Sequence, residues 1–223
     1  MEILAKTTTE FKRTSGICLL LGSILATLTM VLHPMGGDIE HIVKIKRILM
    51  FSHAIAIFCL PFTGFGFWGL SNMLQTKSKI SVLAFFILFF GLIAAMVAAT
   101  INGLVLPNFA SRYWADGNDI SVINKIIGYG HAINTSMTYI VITSISIAIG
   151  IWSFLIILTN KLPKWLGYFG LTVIAIGLLG VLLRFNFTDL LGFRTFIFGL
   201  VSWIIAVGFN MTRKAKTDEN ASL

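Results

Sequence analysis

Charge is scarce in this chain. Asp, Glu, Lys and Arg make up 12% of its 223 residues, 57% are hydrophobic, and mean hydropathy is +0.89. Soluble globular domains carry about twice that charged share, so the composition excludes one and calls for lipid as the solvent. Acids are scarcest, 9 in all, and none lies inside the long apolar runs. That absence weighs against a proton-coupled pump or transporter, which places carboxylates within its helices. It also weighs against a membrane hydrolase built on a His-Asp site. The 2 cysteines, Cys18 and Cys59, sit in apolar runs without CxxC spacing, which argues against a disulfide framework. No nucleotide site or catalytic nucleophile is specified by any motif. Strict alternation of apolar and polar residues is missing too, which excludes a membrane barrel and leaves helices.

What is present is a series of apolar runs at roughly 15–33, 48–73, 80–106, 126–158, 165–187 and 190–211, each near or above the ~20 residues a bilayer demands of a helix. They predict an all-α, polytopic bundle of six transmembrane helices over 15–211, with end segments 1–14 and 212–223. Lys12 and Arg13 precede the first run as in a signal peptide, but no small-x-small site follows Leu32, so a retained helix is expected. The net charge of +8 lies in short segments between the runs, which reads as membrane topology and not as nucleic-acid binding.

Basic residues are unevenly shared between the two sides of such a bundle. The side of the termini holds Lys6, Lys12, Arg13, Lys77, Lys79, Lys161, Lys164, Arg213, Lys214 and Lys216 against four acids; the other side holds seven basic residues, including Lys44, Lys46 and Arg47, against five acids. Both termini are therefore expected in the cytoplasm of a cell, with the bundle in its cell membrane.

The second and fourth runs open alike, Arg47-Ile48-Leu49-Met50-Phe51-Ser52-His53-Ala54-Ile55 against Lys125-Ile126-Ile127-Gly128-Tyr129-Gly130-His131-Ala132-Ile133. They also close alike, with Trp68 and Trp152 each nine residues before a lysine, Lys77 and Lys161, and a fainter echo at Trp203 and Arg213. This pattern predicts three related helical hairpins, with six extra residues in the fourth helix; chance likeness between apolar helices is the competing explanation. Each histidine lies six residues past its basic anchor, about 9 Å along a helix, so both imidazoles belong at matching depth in the outer half of the membrane. His33 ends the first run on that side, and Arg184 and Arg194 flank the last outer turn.

Paired intramembrane histidines invite a b-type haem, since two neutral imidazoles supply both axial ligands of its iron. His53 and His131 are the candidate ligands, and Arg184, Arg194 or Arg47 the candidate propionate partners. Asn134, Thr135 and Thr138 share the broad face of His131, and Asn134 and Thr138 are candidate ligand contacts. His33 is a candidate third ligand for zinc or copper. The Ser52-His53-Ala54 and Gly130-His131-Ala132 segments resemble those of membrane b-haem proteins such as haem A synthase, in which histidines on even-numbered helices of repeated bundles hold haem near the outer face. This chain lacks an outer-loop cysteine pair, and two intramembrane histidines serve at most one bis-histidine haem.

The plainer reading is that such histidines complete interhelical hydrogen bonds. Two functional classes stay open on the sequence. One is a haem-binding redox protein with a quinone or outer-side redox partner; the other is a non-enzymatic assembly factor, sensor or small-solute carrier. The oligomeric state is open as well, and an odd number of hairpins does not suggest inverted transporter halves. Among smaller features, Pro61 with Thr63, Gly64 and Gly66 loosens or packs the second helix. The segment from Pro107 to Asn124 is the longest loop and a potential cap. Trp68, Trp152 and Trp165 are expected as inner interface anchors, and Phe85, Phe86, Phe89 and Phe90 as lipid contacts.

Overall fold

The computed structural model describes residues 2–75, 79–115 and 119–213, with side chains from Thr9 onward. Lys77, Asp116 and the segment beyond Arg213 lie outside the described residues. Elements follow as α1 (Glu2–Leu32), α2 (Ile39–Gln75), α3 (Ile80–Thr100), a π-helical turn (Ile101–Val105), α4 (Leu106–Ala115), α5 (Ile120–Thr159), α6 (Lys164–Leu182) and α7 (Leu190–Thr212). Six helical stretches are long and apolar enough to cross a membrane, and no strand occurs among the described residues.

The scarce acids have structural work on the side away from the termini. Asp38, Asp119 and Asp189 each accept from a backbone N–H in the first turn of α2, α5 and α7, at 2.9, 2.8 and 2.7 Å, the N-cap use to which Asp is suited. Asn160 stops α5 in the left-handed conformation at φ 53°, which Asn tolerates. Helices α2 and α5 have 37 and 40 residues, about 55 and 60 Å of helix against a hydrocarbon core of about 30 Å. Both therefore outrun their apolar runs. Their outer ends meet α4 in a small second core of Ile39, Ile42, Leu49, Ala110, Ile123 and Ile127. The expected long loop is thus mostly helix, because Leu106 and Ala110 recur on one buried face of α4 and extend the pattern of α3.

Packing follows chain order around the bundle: α1 against α2 and α7, α2 against α3, α3 against α5, and α5 against α6, with a lighter contact between α6 and α7. Helix α2 runs unbroken through Pro61. Small residues set its closeness to α1, since a Cβ on Gly66 would lie 2.6 Å from Leu19 Cγ, so the packing reading of this stretch is the one the fold uses.

The main core occupies the half nearer the termini. Phe67 stacks on Trp152 at 5.0 Å and lies 6.5 Å from Trp203, with Leu70, Leu88 and Ile149 around them. Both indoles are fully buried and hydrogen-bonded, Trp152 Nε1 donating to Ser81 Oγ at 3.1 Å and Trp203 Nε1 to the Leu166 carbonyl at 2.8 Å. Trp152 is therefore a core residue and not the interface anchor expected of it, whereas Trp68 and Trp165 are 37% and 53% exposed. The six extra residues between His131 and Trp152 explain the difference. At about 100° per residue they turn the second tryptophan by about 240° relative to the first. Phe86, Phe89 and Phe90 face outward as expected, while Phe85 packs against Trp68.

Candidate functional site

Where the terminal half is filled, the outer half holds a cavity of about 330 Å³ between α1, α2, α3, α5 and α7. His33, His53, His131, Asn102, Asn134 and Thr138 all line it. The two sequence-matched histidines are thus brought to one space, and His33 joins them from the end of α1.

His53 owes its place to an irregularity in the neighbouring chain. Pro107 has no N–H to give the carbonyl four residues back, and its ring crowds that carbonyl. The helix answers with a π turn in which Leu106 N–H reaches the Ile101 carbonyl, and Asn108 Nδ2 takes up the Leu104 carbonyl at 2.9 Å. The widened turn carries Gly103 against His53, so closely that a Cβ there would lie 1.9 Å from His53 Cγ. It also brings Asn102 to the cavity. Sequence reasoning passed over Asn102 and Gly103; the signal was Pro107 four residues after a glycine in an otherwise apolar helix.

His53 is 6% exposed, and its Nδ1 lies 2.8 Å from the Leu49 carbonyl of its own helix. A carbonyl only accepts, so Nδ1 carries the hydrogen and Nε2 keeps its lone pair in the neutral ring. His33 is arranged alike, with Nδ1 donating to the Pro34 carbonyl at 2.8 Å. The two ring centroids are 4.7 Å apart. Burial, then the nearby Arg194 guanidinium, hold the His33 imidazole below its usual range, against the opposing Pro34 hydrogen bond. His131 has no side-chain partner among the described residues. Thr138 donates to the Asn134 carbonyl at 2.9 Å and not to the ring. Among the described residues neither matched histidine makes the interhelical hydrogen bond of the plainer reading.

The arginines divide. Arg194 donates through Nη2 to the His33 carbonyl, and its buried Nε is left without a partner. Arg184 is exposed, at φ 58°, and none of Arg184, Arg194 and Arg47 lines the cavity. Asp189 reaches the cavity rim while capping α7. Among the described residues no three His, Cys, Asp or Glu side chains converge as a metal site would require. Compared with protein families, curated proteins and solved structures, the chain has no match.

Proposed function

We propose that this chain is a multi-pass membrane protein that holds a b-type haem in its outer-half cavity, with His53 and His131 as axial ligands. The supporting observation is that both line one largely apolar cavity without partners for the nitrogens a metal would use: His53 Nε2 is freed by the Nδ1–H bond to Leu49, and His131 is unbonded. A hydrogen bond donated by the far ring nitrogen orients a ligating imidazole and raises its basicity. Two imidazoles on opposite sides of one metal have centroids about 6 Å apart, from a bond of about 2.0 Å and the ring radius on each side. The 4.7 Å between His33 and His53 is too short for that pair, which favours His131 as the partner of His53. Arg194, bonded to the His33 carbonyl but not among the cavity-lining residues, keeps a buried Nε without a partner among the described residues and would have to turn toward the cavity to meet a carboxylate. When bound, such a haem supplies one-electron chemistry, passed to an outer-side partner.

The reading goes together with three hairpins of common origin, cytoplasmic termini and a cell membrane. A non-enzymatic assembly factor, sensor or small-solute carrier is the second reading, favoured by the close packing of the His33 ring on His53. Absorption of the protein purified from haem-supplied cells, oxidised and dithionite-reduced, separates the two. A Soret band near stoichiometric haem is expected, lost in His53→Ala and in His131→Ala but kept in His33→Ala. A well-folded, colourless protein overturns the haem reading.

A further inference from the structure

Ser23 and Thr29 on α1 are each 2% exposed, line the cavity, and have no hydrogen-bond partner among the described residues. Nearby hydroxyls behave differently: Thr63 donates to the Cys59 carbonyl and Thr138 to the Asn134 carbonyl, the back-bond that such residues make in a helix. Ser15 and Ser153 are also buried without partners, but they lie under Gly69 and Gly170 at helix crossings and away from the cavity. The two cavity hydroxyls are therefore the donors whose partner a ligand would supply.

The cavity also has an unfinished wall. Helices α5 and α7 both line it, and α6, which follows between them in the bundle, contributes no lining residue. Helix α6 meets α5 near its start, through Gly167 and Gly170. Toward its outer end Ile176, Leu178, Val181 and Leu182 are 60% or more exposed. On the α5 side of this gap His131, Thr135 and Tyr139 are exposed. At the top stand the α4 core and the turn after α1 that Arg194 pins at His33, with exposed Gly36 and Asp189 lining the rim. A gap at the depth of apolar α6 opens on lipid.

We propose that the cavity binds a neutral, lipid-soluble quinone, admitted from the bilayer between α5 and α7, whose two ring oxygens accept from Ser23 and Thr29. Those residues are six apart on α1, about 9 Å by helical rise and about 120° apart around its axis, at two edges of the lining face, which puts their Cα atoms about 10 Å apart. A para-quinone has oxygens about 5 Å apart, and with a hydrogen bond of about 2.8 Å at each end it asks for donors about 9–11 Å apart. The lining favours a neutral head, because its one carboxylate, Asp189, is at the rim and already caps α7. The site goes beyond the haem reading and stands on the hydroxyls and the gap whether or not haem is held.

The test is photolabelling of the full chain, purified without added haem and placed in lipid nanodiscs, by a short-tailed azidoquinone, with labelled peptides mapped by mass spectrometry. Labels are expected on cavity-lining segments of α1, α5 and α7, displaced by decylubiquinone but not by a water-soluble quinone sulfonate. The double variant Ser23→Ala, Thr29→Val is expected to lower labelling about tenfold, while Ser15→Ala, buried but off the cavity, leaves it unchanged. Labels spread over lipid-facing residues such as Phe86 and Phe90 without competition, or a double variant labelled like the wild type, overturn the site. Equal competition by the sulfonate overturns entry from the bilayer. A protein that stays colourless when purified from haem-supplied cells, yet is labelled and competed in this assay, refutes the haem alone.

Discussion

Replacing Gly103 by alanine is the sharpest probe of how the π turn and His53 fit together. The added Cβ would lie 1.9 Å from His53 Cγ and 2.1 Å from its Cβ. An ordinary contact needs about 3.4–4 Å, so one helix must move by about 1.5 Å or the imidazole must swing away. Overpacking of this kind costs about 1–3 kcal/mol, and loss of the His53–Leu49 bond adds about 1 kcal/mol. Against this, alanine is better than glycine in a helix by at most about 1 kcal/mol. The expected net is a loss of about 1–3 kcal/mol and, under the haem proposal, weaker haem binding. Gly128→Ala is the control, because nothing lies within 4 Å of its Cβ position; propensity alone then predicts a gain of about 0.5–1 kcal/mol. Thermal unfolding of both variants in one detergent, with haem titration by absorbance, reads the difference in sign. A Gly103→Ala protein as stable as Gly128→Ala, with unchanged titration, would refute the close approach of the π turn to His53.

The matched tryptophans should respond unequally. Trp152→Phe loses the donor to Ser81 and part of the stack on Phe67, and about 2 kcal/mol of stability is expected to go with it; Trp68→Phe, at a half-exposed site, is expected to stay within about 0.5 kcal/mol, and equal effects in unfolding midpoints would contradict the core placement of Trp152. Acid should also act through His33. Its folded-state pKa lies below the usual 6.5, so below that pH the unfolded chain binds the proton more readily, and stability falls as pH drops from about 6.5 toward the lower folded value. Melting curves between pH 7.5 and 5 should show this decline in the wild type and a shallower one in His33→Asn; parallel declines would remove His33 from the account.

Much of the bundle was legible because lipid allows few solutions. Long apolar runs without alternation can only be helices, and six such stretches are what the structure contains. Their ends were harder, because α2 and α5 continue as polar helix past the apolar run, where hydropathy is silent and the caps Asp38 and Asp119 carry the signal. The site was half legible. The Ser-His-Ala and Gly-His-Ala pair pointed at His53 and His131, and both reach one cavity. Asn102, Ser23 and Thr29 look like ordinary polar residues in apolar helices, and only packing shows that they face the same space. The Trp68–Trp152 likeness misled for a geometric reason: six extra residues conserve the letter but rotate the side chain inward.

The division between a packed terminal half and a hollow outer half gives the bundle two mechanical regimes. Helices α2, α5 and α7 are fixed near the terminal side by the plate of Phe67, Trp152 and Trp203, and α2 and α5 are tied together again at their outer ends by the second core with α4. His53 and His131, 14 and 21 residues from Phe67 and Trp152 on their helices, about 21 and 32 Å by helical rise, therefore stand in spans held at both ends. A change in cavity width that spares both cores falls to α1 and α7, which do not enter the second one.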